Sequence, residues 1–205
     1  MAALAVACAF AFSVFSDMTS VPVLGEIPLT VATIVAAIAG WLLMIVLYGR
    51  KIHPVSAAPL TNQNAGRLLG LGAILALPPI GIDLWLGFAR DINVPVPSAL
   101  AFYPAIALVA EVAFHLAPLA LLAVLAPAWV PKIAIFLPVV FVEPLFQILF
   151  ASEQGMKALL VFINVSLVSA AQLWLFHRYG FAVMVGLRLS FYLFWHVIWG
   201  VIRLI

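Results

Sequence analysis

Three things are scarce in this chain, and each scarcity removes a class of function. There is one cysteine, Cys8, so no intrachain disulfide, thiolate cluster or iron-sulfur centre can form. Charge is thin: nine Lys and Arg and seven Asp and Glu in 205 residues, a formal net charge of +2. That leaves no basic stripe or run, and nucleic acid is excluded as a partner. Long polar stretches are also missing, so no soluble domain fits between the apolar segments. Neither an internal repeat nor a low-complexity segment is visible.

What fills the chain is hydrocarbon. Apolar residues make up 67% and charged residues 8%, against about 45–50% and about 25% in an ordinary soluble domain. Runs near the length needed to cross about 30 Å of lipid recur from end to end. The expected fold class is all-α, a polytopic transmembrane helix bundle of about seven helices, over 2–16, 28–48, 67–89, 98–126, 132–151, 156–177 and 180–203. MAALAVACAFAFSVF is read as a first membrane helix, because the residues before Cys8 carry no Lys or Arg to make a signal-peptide n-region. Three N-terminal helices over 1–97 and four core helices over 98–205 form a single integral membrane domain. Arg50, Lys51, Arg67, Lys132 and Arg178 fall on one side of the expected topology, which favours a cytoplasmic N-terminus. The expected location is the cell membrane, with membrane lipids as neighbours.

Within these helices a few residues break the apolar rule. Glu111, His115, Glu143, Arg188 and His196 lie inside expected spans, where a lipid-facing charge costs several kcal/mol. Each is therefore expected to point inward and find a partner. Their spacing agrees: Glu111 with His115, Glu143 with Gln147, and Arg188 with Tyr192 and His196 are four residues apart, which puts the members of each set on one helix face. Pro78, Pro79, Pro138 and Pro144 are expected to bend or break their helices, around an internal site or merely for packing.

Several chemistries fit that set. Two imidazoles and two carboxylates are a plausible zinc shell, with His115, His196 and Glu143 as metal ligands, Glu111 as base or ligand, and a water in the open position. Arg188 would pair with a carboxylate or stabilise an oxyanion. The same residues read equally as a structural hydrogen-bonded network, as proton- or ion-coupling groups, or, through His115 and His196, as axial ligands of haem. Elsewhere, His53 reads as interfacial, His177 and Arg178 as favourable ends to a helix dipole, and Asn164 as an unused glycosylation pattern inside a helix. Asp83 either caps a broken segment or joins the cluster. Trp41, Trp85, Trp129, Trp195 and Trp199 are expected in interfacial belts.

The order of these motifs resembles a family, the CAAX-protease and bacteriocin-processing (CPBP) intramembrane proteases, to which the type II CAAX prenyl protease belongs. Ala110-Glu111-Val112-Ala113-Phe114-His115 is similar to that family's first motif, E-E-x-x-F-R, with Ala for the first Glu and His for the Arg. VVFVEPLFQ stands where its second motif, F-x-x-x-H, would fall, with Glu143 or Gln147 in place of the His. FHRYGFAVMVGLRLSFY resembles the lead-in and third motif, H-x-x-x-N or D, and aligned on Gly180 it puts Arg188 at the His and Tyr192 at the Asn. The resemblance covers residues 98 to 203. It implies a metallo-endopeptidase that uses Glu111, Arg188 and Tyr192 at catalytic positions, a zinc cofactor, and a peptide or membrane-protein substrate. His115, Glu143 and His196 would then rebuild a metal site at shifted positions. The other reading is a pseudo-protease, a membrane scaffold or helper that keeps the fold without the chemistry. A proton-coupled carrier is a third.

Overall fold

The computed structural model describes residues 27–52, 62–88, 92–150 and 155–204. Six helices in it are long and apolar enough to cross a membrane: α1 (Leu29–Gly49), α2 (Asn62–Leu86), α3 (Ala99–Leu125), α4 (Lys132–Phe150), α5 (Gly155–Tyr179) and α6 (Phe181–Arg203). Among the described residues there is no strand. The protein is a polytopic helical membrane protein. The expected span at 2–16, with Cys8, lies outside the described residues, as does His53; the other six expected spans are found within a few residues of their bounds.

The outward faces explain the composition. Trp41, Leu84, Trp85, Leu121, Trp129 and Phe150 are all more than half exposed, as side chains in contact with lipid would be. Inside, α6 is the central helix: it packs on α2, α5 and α3, while α1 lies against α3 and α4 against α5. Helices from both halves of the chain thus share one bundle.

The prolines act unequally. α4 breaks at Val140–Phe141 because Pro144 has no N–H for the carbonyl four residues back and its ring crowds that carbonyl. The helix restarts at Val142, which leaves Glu143 in its first turn. Pro78 and Pro79, in contrast, are carried inside α2, which stays helical through them. Two helices contain a six-residue π-helical segment, Glu111–Leu116 in α3 and Leu193–Ile198 in α6. Such wider turns are frequent where a side chain must be re-aimed, and here each carries a histidine.

One expectation from the sequence changes, and one left open is decided. Trp195 is 5% exposed and packs edge-on against Phe88, so it belongs to the interior rather than to an interfacial belt. Asp83 does not join the Glu111 cluster. Its Oδ1 accepts the Phe88 N–H and its Oδ2 accepts Trp199 Nε1–H, both at 2.7 Å. Arg203 Nε lies 2.9 Å from the same Oδ2. This carboxylate ends α2 and ties it to the last turn of α6. Asp83→Ala is expected to cost about 2 kcal/mol, the usual worth of charge-assisted hydrogen bonds, read as a lower melting temperature in detergent. An unchanged melting temperature would mean that the tie contributes nothing.

Candidate functional site

The ionisable residues expected to converge do so around Arg188. Its side chain is 2% exposed, and Glu111, His115 and Glu143 are 0%, 0% and 5% exposed. Arg188 Nε donates to Glu111 Oε1 at 2.7 Å. Nη1 donates to Glu143 Oε1 at 2.8 Å and to the Tyr192 hydroxyl at 3.1 Å. Nη2 donates to Glu143 Oε2 at 2.6 Å and to Gln172 Oε1 at 3.3 Å. A guanidinium has five N–H donors in a fixed fork, and these five bonds use all of them.

Glu111 is equally occupied. Its Oε1 accepts from Arg188 and from Gln172 Nε2. Its Oε2 lies 2.9 Å from His115 Nδ1, a contact that is off the line of a good hydrogen bond, since neither atom has an aligned partner. The cluster therefore runs from His115 through Glu111 and Arg188 to Glu143, with Gln172 and Tyr192 at its flanks. Four helices, α3, α4, α5 and α6, are joined by it.

His196 stands apart. It lies one turn from Tyr192, their rings edge to face at 5.0 Å, and stacks on Tyr103 with centroids 4.6 Å apart. Its Nδ1 is 2.7 Å from Asn93 Oδ1. An amide oxygen only accepts, so that contact puts the proton on Nδ1. Tyr103 is itself fixed by the Val94 N–H, which donates to its hydroxyl at 3.0 Å.

Glu143, Arg188, Tyr192 and His196 do share one feature, a cavity of about 160 Å³ between α2, α4, α5 and α6. Gln147 and Asn164 also reach its wall, and most of the remainder is apolar. Glu111 and His115 do not line it.

This arrangement does not fit a zinc ion held by His115, Glu143 and His196. Both oxygens of Glu143 grip the Arg188 fork, and His115 is on the far side of Glu111. A divalent ion at Glu143 would have to displace, or sit against, a guanidinium of like charge. Among the described residues no group of three His, Cys, Asp or Glu is placed to hold a metal. Arg188 has no donor left for an oxyanion, and Glu111 has no open approach for a water.

Three partners escaped the reading of the sequence: Gln172, Asn93 and Tyr103. Gln172 carried a usable signal, because Asn164 and Gln172 lie eight residues apart on an apolar helix and so share a face. Asn93 had none, being a loop residue whose neighbour is set by the fold. Comparison with protein-family models, curated proteins and solved structures finds no match to this chain.

Proposed function

We propose that this chain is a non-catalytic integral membrane protein on a CPBP-like frame, in which the positions that carry chemistry in that family serve as an interhelical lock. Its work is to hold a partner or ligand in the membrane, the cell membrane being the expected one, rather than to cleave a peptide bond. One observation carries this reading: every N–H of Arg188 is engaged, and the two carboxylates it holds are those that a hydrolase would need free.

Glu111→Gln is the direct test. It keeps the side-chain shape and removes the charge that faces Arg188, so it is expected to lower stability by about 2 kcal/mol. The loss is expected to be the same with or without a chelator. A Glu111→Gln protein as stable as the wild type would sink the lock.

The peptidase reading retains one favourable observation, that Glu143, Tyr192 and His196 border the same cavity. A carboxylate and an imidazole on one cavity are what activation of a water requires. It predicts cleavage of membrane-anchored peptides that Glu143→Gln abolishes in a protein that is still folded. The lock predicts that no cleavage is present to lose.

A further inference from the structure

Two cations share a recess at one end of the bundle with no acid beside them. Arg50, at the end of α1, and Lys132, at the start of α4, line a hollow of about 140 Å³ together with the last turn of α3 and the loop after it. The Arg50 guanidinium has no hydrogen-bond, ion-pair or ring partner among the described residues. Lys132 Nζ makes a single contact, 3.4 Å to the Lys51 carbonyl, which is longer than an ordinary hydrogen bond. The chain holds no Asp or Glu between Glu26 and Asp83 or between Glu111 and Glu143. The three helix ends that form the recess therefore carry no carboxylate.

Helix dipoles do not account for the pair. A cation suits the C-terminus of α1, where Arg50 stands, but not the N-terminus of α4, where Lys132 stands. Two like charges on one recess repel, and an anion between them would relieve that repulsion. A guanidinium offers a two-pronged grip on a phosphate and an ammonium a point charge. The rim narrows the class further. Leu125, Trp129 and Ile133 adjoin lining residues in the chain and are 68%, 81% and 59% exposed, as side chains at a lipid interface are. A soluble anion would have no use for them, whereas acyl chains would. A zwitterionic headgroup would bring its ammonium to a wall without a carboxylate. This end is also the expected cytoplasmic one, where anionic lipids gather and basic recesses between helices receive their headgroups.

We propose that the recess binds the phosphate group of an anionic phospholipid, with Arg50 and Lys132 on the phosphate and the acyl chains along Leu125, Trp129 and Ile133. A soluble phosphate presents the same group without the chains. None of the residues of the Arg188 cluster lines this recess, so the inference is independent of the lock and of whether the chain cleaves peptides.

The test is a titration of purified protein in maltoside micelles at about 0.15 M salt, where exposed charges more than roughly 8 Å apart are screened. Dioleoylphosphatidylglycerol is expected to raise the melting temperature saturably, as a ligand of the native state does, and dioleoylphosphatidylcholine is expected not to. Arg50→Gln and Lys132→Gln are each expected to raise the half-effect concentration of phosphatidylglycerol about fivefold, the worth of one basic group beside anionic lipid, and about twentyfold or more when combined. That reading is a shift in lipid concentration, so it holds even if a variant starts from a different melting temperature. Arg178→Gln removes an exposed cation that does not line the recess, and it is expected to shift the half-effect concentration by less than about twofold. Inorganic phosphate alone separates the sources. Stabilisation by phosphate, with no further gain from phosphatidylglycerol, would overturn the lipid assignment. Equal stabilisation by phosphatidylcholine, equal losses in Arg178→Gln and Arg50→Gln, or full phosphatidylglycerol binding by the double variant would each overturn the site.

Discussion

Arg188→Met is expected to be the most destabilising of the substitutions considered, at about 3–5 kcal/mol, because removing one side of a buried ion pair leaves the other charged and unpaired. Here two carboxylates lose their guanidinium at once. Glu111 would keep Gln172 and His115, whereas Glu143 would lose both of its guanidinium bonds. The loss of the methylene packing is small by comparison, since Met fills most of the same space. The triple variant Arg188→Met, Glu111→Gln, Glu143→Gln is expected to recover much of the loss, as neutral replacements of buried ionic groups often do. Melting temperatures in detergent for the single and triple variants check both statements. A triple variant no more stable than Arg188→Met would mean that the cost lies in packing and not in unpaired charge.

Gly72→Leu is expected to lower stability by about 3 kcal/mol, the upper part of the range for overpacked interfaces, even though Leu is the better helix former. A Cβ at Gly72 would lie 2.5 Å from Ser190 Cβ and 2.8 Å from the Phe191 amide nitrogen. Backbone atoms cannot rotate away, so α2 and α6 would have to separate. Their close approach is the kind that small residues permit in membrane bundles. Gly70, two residues earlier, has nothing within 4 Å of an added Cβ. Gly70→Leu is therefore expected to be neutral or stabilising. Equal effects at the two glycines, measured as shifts in melting temperature, would mean that helix propensity and not the contact decides.

The bundle was legible because lipid imposes one requirement on every span. A run of about 20 apolar residues has few alternatives to a membrane helix, and six such helices stand within a few residues of their expected bounds. The polar cluster was legible for a related reason. Glu111, His115, Glu143 and Arg188 could not be left facing hydrocarbon, and spacing by four fixed which of them shared a face.

The pairings were not legible. Whether Glu143 would grip a metal or a guanidinium depends on how α4 sits against α6, which spacing within one helix does not give. A spacing of four carried His196 onto the cavity with Arg188 and Tyr192. Its ring nitrogen is nevertheless committed to Asn93, which no helical period identifies. Gly72 shows the same limit: Gly66, Gly70, Gly72 and Gly81 all lie on α2, and only Gly72 meets another backbone. Sequence spacing gives the face of a helix, and only its neighbours decide what that face touches.

Metal content, measured together with melting temperature before and after chelation, tests the central claim most directly, namely that the polar cluster is a lock closed by Arg188. The lock predicts wild-type protein, purified in detergent and supplied with zinc, that retains no stoichiometric metal and melts at the same temperature with or without chelator. One zinc per chain, with a melting temperature that falls on chelation and a site lost in His196→Ala, would contradict it.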